Sequence, residues 1–297
     1  MSFHSLNLNE HLLKALDRQG YTTPTPIQER AIPNVLSRKD VLGIAQTGTG
    51  KTAAFALPLI QLMSDEKAQG NKQSLRCLIL TPTRELALQI SESFNDYGQY
   101  SSLRNVVIFG GVSQHDQVEK LKRRPEVLIA TPGRLLDLMQ QGYISLSEVS
   151  YLILDEADRM LDMGFVHDVR RIISKVPAKR QTLFFSATMP PDIVALSRDI
   201  LTNPVRIEVT PPATTAERIN QSVWFVEKAD KKDLLLRLMK EGTIERVLVF
   251  TRTKHGADRV ARILQKSGIT AMAIHGDKSQ NARQNADRKS TRLNSSH

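Results

Sequence analysis

The sequence of 297 residues predicts an α/β fold in which helices cover both faces of a parallel β-sheet. Short apolar runs alternate along it with amphipathic stretches such as Glu85–Tyr97 and Gly133–Gln140. The runs are continuous rather than alternating in polarity, which is typical of strands that are buried on both faces. A polar or glycine-rich cluster follows each run, and open parallel sheets bind ligands at the carboxyl ends of their strands. We therefore expect one extended site along one edge of the sheet.

Six apolar runs are predicted to be the strands of this sheet. They are Val41–Ala45, Arg76–Leu80, Asn105–Phe109, Val127–Ala130, Tyr151–Leu154 and Thr182–Phe185. The clusters at their ends read AQTGTGKT, TPTRE, GG, TPGR, DEAD and SAT. A chain with a purely structural role has no reason to place its special residues at six strand ends, so the pattern favours a function at this edge.

A second αβ region is predicted after residues 210–217, which lack apolar periodicity, contain two consecutive prolines and are interpreted as a linker. Its apolar runs are Gln221–Val226, Arg246–Phe250 and Thr270–Ile274, and Trp224 is expected to lie in its core. Residues 1–209 are predicted to form a first domain. Residues 218–284 are only about half of a typical domain of roughly 150 residues, so the second domain is predicted to be incomplete. Residues 285–297 have no apolar face and are interpreted as a non-native or disordered tail.

The composition narrows the classes of function. The formal net charge of +10 favours a polyanionic partner but does not separate RNA from DNA. No apolar stretch is long enough to cross a bilayer, and the first residues do not resemble a secretory signal. Cys77 is the only cysteine and lies inside an apolar run, which predicts a buried thiol and excludes a disulfide within the chain. We expect a cytoplasmic protein that does not act on membranes.

The segment from Ala45 to Thr52 carries the clearest chemistry. It follows a predicted strand and matches the P-loop pattern, except that Ala45 replaces the first glycine. Backbone N–H groups of such a loop, together with the following helix N-terminus, bind phosphates. Lys51 is expected to reach the β- and γ-phosphates of ATP, and Thr52 to coordinate Mg²⁺. The nucleotide-binding residues are thus Gln46, Thr47, Gly48, Thr49, Gly50, Lys51 and Thr52, and the alternative is an ordinary glycine-rich turn.

The tetrapeptide Asp155–Asp158, DEAD, follows the predicted strand Tyr151–Leu154. An acid at the tip of a buried strand is suited to hold Mg²⁺ against a nucleotide, and we assign this role to Asp155. Glu156 is then expected to position and deprotonate the attacking water. Two adjacent acids are common on surfaces, so the interpretation depends on the upstream P-loop.

These motifs, in this order, resemble the DEAD-box ATP-dependent RNA helicases, and most closely their bacterial RhlE-like branch, from about Phe3 to Arg283. The resemblance implies a RecA-like first domain and an incomplete RecA-like second domain. It also implies that Gln28 hydrogen-bonds adenine, that Tyr21 packs against the ring, and that Phe3 supports this pocket, although core packing also explains the aromatic residues. By similarity, Ser186 and Thr188 of SAT are also assigned as catalytic residues. Their hydroxyls would hydrogen-bond Asp158 and couple hydrolysis to unwinding.

The resemblance further implies RNA contacts through the phosphate backbone, which do not read sequence. In the first domain these are Pro82, Thr83, Arg84, Gly110, Gly111, Thr131, Pro132, Gly133 and Arg134. In the second domain they are Thr253, His275, Gly276, Gln280 and Arg283. Helix capping by threonine explains TPTRE and TPGR equally well, and a strand-end position explains His275.

The resemblance ends at about Gln284, before the family's arginine-rich HRxGRxxR-type motif, and this predicts a C-terminally truncated enzyme with impaired turnover. The expected function is ATP-dependent local unwinding or remodelling of RNA duplexes. Two alternatives stay open: an ATP- and RNA-binding clamp that does not hydrolyse, and a DNA helicase. The sequence does not predict protein partners.

Overall fold

The computed structural model describes residues 2–70, 74–209, 220–240, 246–279, 282–283 and 285–286. The chain divides into two compact units, Met1–Ala216 and Glu217–His297. The predicted linker 210–217, the predicted RNA contact Gln280 and residues 287–297 of the predicted tail lie outside the described residues. The domain boundaries therefore stay predictions. Within the described helices, none is long and apolar enough to cross a membrane.

The described part of the first unit contains a parallel sheet of seven strands. The strands are β1 Val41–Ile44, β2 Cys77–Leu80, β3 Asn105–Ile108, β4 Val127–Ala130, β5 Tyr151–Leu154, β6 Gln181–Ser186 and β7 Val205–Glu208. The first six confirm the six predicted runs to within one residue at either end. β7 was not predicted. It pairs with β1 at one margin of the sheet.

In the part of this unit that the structure describes, nine α-helices cover the two faces of the sheet, as predicted. A short 3₁₀ helix, Phe3–Leu6, comes first. On one face lie α1 Glu10–Arg18, α2 Pro26–Leu36, α3 Lys51–Ala68 and α4 Arg84–Tyr97. On the other lie α5 Gln114–Leu121, α6 Pro132–Gln140, α7 Ala157–Asp162, α8 Val166–Ile173 and α9 Pro191–Ile200.

Strand β2 shows why its apolar residues run without interruption. Successive side chains of a strand point to opposite faces. Cys77 and Ile79 pack into the core beneath α1–α4, whereas Leu78 and Leu80 pack into the core beneath α5–α9. All four are fully buried, and burial raises the pKa of the Cys77 thiol. The predicted buried, unreactive cysteine is thus confirmed.

The order of the strands across the sheet is β3-β4-β2-β5-β6-β1-β7. Because all pairs are parallel, the carboxyl ends of all seven strands lie along one edge. The clusters GG, TPGR and TPTRE follow β3, β4 and β2, and therefore occupy one half of this edge. The clusters DEAD, SAT and AQTGTGKT follow β5, β6 and β1, and occupy the adjacent half. The sheet thus sorts six clusters into two neighbouring groups of three.

The second unit differs from the prediction. Its described residues contain α10 Lys231–Lys240 and α11 Lys254–Lys266, but the three predicted strand segments form no ladder there. A buried parallel strand needs paired neighbours and covering helices. Phe225 and Phe250 are instead 99% and 87% exposed. Trp224 is 59% exposed, so its prediction as a core residue is wrong for this structure.

Candidate active site

The loop between β1 and α3 has the geometry that its glycines permit. Gly48 and Gly50 have φ values of +83° and +89°, in the left-handed region that favours glycine. A Cβ atom at Gly50 would also clash with the side-chain amide of Gln28. Gly50 directly precedes Lys51, the first residue of α3. The loop therefore presents its backbone at a helix N-terminus, where the helix dipole favours an anion.

Lys51 is buried within this loop. Its Nζ donates a hydrogen bond of 2.9 Å to the carbonyl oxygen of Ala45, across the loop. Thr52 follows on α3 and is half-buried, while the Thr49 hydroxyl donates to the Gln46 carbonyl at 2.7 Å. A phosphate bound in the loop would replace the Ala45 carbonyl as the acceptor for the Lys51 ammonium, because a charged oxygen is a stronger acceptor than a neutral carbonyl.

Asp155 lies buried at the end of β5. Burial raises the pKa of its carboxyl to about 6, despite the favourable positive charge of Lys51. The negative charges of Glu156 and Asp158 contribute to this rise. Its Oδ1 accepts a hydrogen bond of 3.0 Å from the Glu156 backbone N–H. A bound cation would stabilise the charged form of this buried carboxylate. Asp155 therefore fits its predicted role as a Mg²⁺ ligand.

Glu156 lies at the N-cap of α7 with a φ of 52°, an unusual conformation for a residue with a side chain. Such backbone strain is concentrated at functional sites. Its Oε1 receives a long contact of 3.5 Å from the Thr47 hydroxyl, and its Oε2 lies 3.3 Å from Nη1 of Arg159. The P-loop and the acidic tetrapeptide are therefore neighbours. Arg159 was not predicted from sequence, and its only signal is an i,i+3 spacing from a glutamate.

Asp158 connects the tetrapeptide to SAT. Its Oδ2 accepts hydrogen bonds of 2.8 Å from both the backbone N–H and the hydroxyl of Thr188. The Ser186 hydroxyl accepts from the Asp158 N–H at 3.2 Å and donates to the Thr188 carbonyl at 2.8 Å. Burial alone would raise the pKa of Asp158, but the hydrogen bonds from the hydroxyl and the backbone N–H of Thr188 lower it overall. The ends of β5 and β6 are thus joined by a closed network.

Gln28 is buried and fastens α2 to the P-loop. Its Oε1 accepts from the backbone N–H of Thr25 at 2.9 Å, and its Nε2 donates to the Gly50 carbonyl at 3.1 Å. Sequence reasoning placed an adenine contact here and missed the contact with the P-loop. An amide has two N–H donors and an oxygen with two lone pairs, so one donor and one lone pair remain for a ligand.

The two aromatic residues predicted near adenine contact each other. The rings of Phe3 and Tyr21 meet edge-on with centroids 6.4 Å apart. Phe3 is 3% exposed, which supports the alternative of core packing for this residue. Tyr21 is 39% exposed, and its hydroxyl lies 3.3 Å from that of Tyr97. Tyr21 therefore keeps an accessible surface for a ligand.

The three predicted RNA clusters of the first unit converge on one loop. The guanidinium of Arg84 packs against the backbone of Gly111, where a Cβ atom would clash with it. Arg134 donates to the carbonyl of Val112 through both terminal nitrogens, at 3.4 and 3.5 Å. Two arginines thus flank the segment that begins at Gly110, and Nε of Arg134 also lies 3.5 Å from Oδ2 of Asp137. Guanidinium groups in this place are suited to contact a phosphate backbone.

Helix capping, the alternative explanation, applies to the two threonine clusters unequally. The Thr83 hydroxyl accepts from the Leu86 N–H at 3.3 Å and caps α4. The Thr131 hydroxyl makes no such capping bond at the start of α6, where Pro132 is the first residue and Gly133 is exposed. Pro82 is buried before Thr83. Capping therefore explains TPTRE in part and leaves the Thr131 hydroxyl unexplained.

In the second unit, the predicted RNA residues have mostly local contacts. The Thr253 hydroxyl accepts from the Gly256 N–H at 3.0 Å and caps α11. His275 Nε2 lies 3.1 Å from Asp258, whose pKa Lys278 and His275 lower to about 2. Gly276 is exposed and Arg283 is half-buried.

A glycine-rich loop and an acidic tetrapeptide at nearby strand ends define a P-loop nucleotide-binding domain. The sequence profile of the DEAD/DEAH box helicase family matches residues 25–196, and that of the helicase conserved C-terminal domain matches residues 230–292. The chain belongs to the DEAD/DEAH box helicase family.

Several known proteins are similar to the chain. The probable ATP-dependent RNA helicase ddx17 of Dictyostelium discoideum is 43% identical over 282 residues, which are 94% of this chain and 36% of that protein. The DEAD-box ATP-dependent RNA helicase CshA of Bacillus subtilis is 41% identical over 289 residues, 97% of this chain and 58% of that protein. The chain thus spans 36% and 58% of the length of these two relatives.

A solved structure supports the same assignment. The crystal structure of a DEAD box protein from the hyperthermophile Methanococcus jannaschii matches with a TM-score of 0.67 at 36% identity. The match covers 99% of this chain and 78% of that one. The predicted RecA-like fold is thereby confirmed, whereas the RhlE-like branch stays a prediction.

Proposed function

We propose that this chain binds ATP with Mg²⁺ and RNA, and couples ATP hydrolysis to the local separation of RNA strands. The observation that carries the proposal is the strand order. The clusters that follow β5, β6 and β1, which we assign to ATP and Mg²⁺, lie along one edge of the sheet. Beside them lie the clusters that follow β3, β4 and β2, which we assign to RNA. Relatives named ATP-dependent RNA helicases, similar over almost the whole chain, support the same activity.

Nucleotide binding is assigned to the P-loop and to Asp155. Gln46–Gly50 and Lys51 would surround the phosphates, and Thr52 and Asp155 would hold Mg²⁺. When bound, this ion neutralises charge on the phosphate oxygens. Gln28 would offer its remaining donor and lone pair to adenine, with Tyr21 packed against the ring and Phe3 behind it.

Hydrolysis is assigned to Glu156. Its carboxylate would accept a proton from the water that attacks the γ-phosphate, while the bond from the γ-phosphorus to the bridging oxygen of ADP breaks. Hydrogen bonds among Asp158, Ser186 and Thr188 join the ends of β5 and β6, so these residues would transmit the change in the nucleotide. Thr188 and Ser186 are therefore assigned to coupling as well as to catalysis.

RNA binding is assigned to the surface flanked by Arg84 and Arg134, which would contact phosphates rather than bases. Neutral contacts to the same RNA strand would come from Pro82, Thr83, Gly110, Gly111, Thr131, Pro132 and Gly133. The second unit would contribute Thr253, His275, Gly276, Gln280 and Arg283. A preference for RNA over DNA would come from contacts to the 2′-hydroxyl group. A cytoplasmic location is part of the proposal, and the single buried cysteine supports a reducing compartment.

The test measures phosphate release with and without RNA, and strand separation of a short RNA duplex. The proposal expects RNA to stimulate turnover and ATP to be required for strand separation. Binding of both ligands without turnover would favour the non-hydrolysing clamp. Equal stimulation by matched RNA and DNA strands would favour a DNA helicase. The Glu156→Gln variant is the control, because it should bind ATP and RNA but release almost no phosphate.

A further inference from the structure

The two carboxylate oxygens of Glu156 have different surroundings. Oε1 contacts the hydroxyl of Thr47 in the P-loop at 3.5 Å. Oε2 lies 3.3 Å from Nη1 of Arg159 on α7. The Glu156 side chain is only 9% exposed, whereas that of Arg159 is 59% exposed. Arg159 therefore extends from the surface to the carboxylate oxygen that Thr47 does not contact.

The contacts of Glu156 with Thr47 and with Arg159 differ in whether they depend on the conformation of the P-loop. Thr47 belongs to the glycine-rich loop, in which Lys51 must release the Ala45 carbonyl to bind a phosphate. Arg159 is the third residue of α7 and Glu156 is the N-cap of the same helix, so their proximity is set by local backbone geometry and not by the P-loop. Since Glu156 caps that helix in a left-handed backbone conformation, its Cα position is fixed by α7 as well. Only the rotatable bonds of its side chain need a further constraint.

We propose that Arg159 is a positioning residue that orients the Glu156 carboxylate toward the P-loop for its work on the attacking water. The inference rests on the proposed function and deepens it. An ion pair with one exposed member adds little to folding stability. Its effect on chemistry is much larger, because a general base must come within about 2.6–3.2 Å of the proton it accepts. A misplacement of about 1 Å can cost on the order of 10²-fold in rate.

The first test compares Arg159→Met and Arg159→Lys with the unsubstituted chain in RNA-stimulated ATP turnover. Methionine keeps most of the side-chain length and removes the charge and the donors. Arg159→Met is expected to lower kcat by about tenfold or more while changing the KM for ATP by less than about twofold. Arg159→Lys keeps the charge and should restore part of kcat. Arg206→Met is the control, because Arg206 is as exposed as Arg159 and also pairs with a glutamate, Glu208 on β7.

The second test separates positioning from a general structural effect. Arg159→Met is combined with Glu156→Gln, and the rate of phosphate release is measured for all four members of the cycle in single-turnover experiments, which resolve very slow rates. A residue that acts through Glu156 has nothing left to orient in the glutamine variant, so the double variant should be no slower than Glu156→Gln alone. Additive losses would overturn the proposal, as would a kcat for Arg159→Met that equals that of the unsubstituted chain.

Two further outcomes would show whether the positioning role of Arg159 or the proposed function of the chain is wrong. If Arg159→Met weakened RNA binding or raised the KM for ATP with kcat intact, Arg159 would be a ligand contact and the positioning role would be rejected. If the unsubstituted chain showed no RNA-stimulated turnover, the proposed function itself would fall, and this role with it. The two failures are distinguishable because the second is seen before any substitution is made.

Discussion

Replacing Asp155 with asparagine is expected to stabilise the ligand-free protein, although it removes the proposed Mg²⁺ ligand. Burial raises the pKa of this carboxyl from 3.8 to about 6, so the folded state disfavours its charge. A shift of about two units corresponds to roughly 3 kcal/mol at 1.36 kcal/mol per unit. This figure is an upper bound on the gain in the free energy of unfolding at pH 8. Asparagine keeps an oxygen that can accept from the Glu156 N–H.

The sign of the pH dependence follows from proton uptake. Between pH values of about 4 and 6 the folded protein holds a proton on Asp155 that the unfolded chain has released, so stability falls as pH rises through this window. Above about pH 6 the folded state bears the full cost of the charge. The advantage of Asp155→Asn is therefore greatest at pH 7–8 and disappears as the pH falls toward 4.

Asp158 is the matched comparison, because its pKa is shifted in the opposite direction. Burial would raise this pKa, but hydrogen bonds from the hydroxyl and the backbone N–H of Thr188 outweigh it and lower the pKa. Its charge therefore stabilises the fold above the pKa of the unfolded chain, and this stability is lost as pH falls through the lower folded value. Asp158→Asn is expected to destabilise the protein at pH 7–8, opposite in sign to Asp155→Asn.

The assay is thermal or urea unfolding at pH 8 and pH 5, followed by far-UV circular dichroism. The single tryptophan, Trp224, lies in the second unit, so its fluorescence would follow that unit instead. A change of 1 kcal/mol shifts Tm by about 2–4 °C in a domain of this size. The reasoning would be refuted if Asp155→Asn lowered Tm at pH 8, or if its effect were the same at both pH values.

Three further predictions concern ligands. Lys51→Ala should abolish binding of ATP with Mg²⁺, measured by calorimetry, since it removes the buried ammonium from the loop; affinity within twofold of the parent would contradict this. Gln28→Ala should weaken ATP binding by about 1–3 kcal/mol and GTP binding much less, and equal affinity of the parent for both nucleotides would exclude the adenine role. Arg134→Gln should weaken RNA binding and reduce by about one the slope of log affinity against log salt concentration, whereas Arg206→Gln should leave that slope unchanged.

Local signals explain what the sequence predicted correctly. The P-loop was evident because a glycine-rich loop between a strand and a helix is specified by adjacent residues. β7 was missed because Val205–Glu208 alternates between covered and exposed residues at the margin of the sheet, and only Ile207 is fully buried. A short alternating segment that ends in charge does not stand out from a loop.

Long-range pairing explains what was missed. Strand order is set by packing between segments far apart in sequence, so the separation of the six clusters into two groups was not predictable from their order along the chain. The contact of Gln28 with Gly50 depends on the same packing. Arg159 was overlooked because an arginine three residues after a glutamate is common on solvent-exposed helices.

The buried position of Cys77 allows thiol labelling to measure how often the interior of the first unit opens. Its strand is paired on both sides, with β4 and with β5, so fraying at the sheet margins does not uncover the thiol. A thiol reagent can react only after the interior separates, and the reaction rate measures the population of that open form. No substitution is needed, since there is no other cysteine to label. A nucleotide that binds only the closed domain lowers the population of the open form, and it slows the labelling of Cys77 by the same factor. The affinity for the nucleotide can therefore be measured without any catalytic turnover.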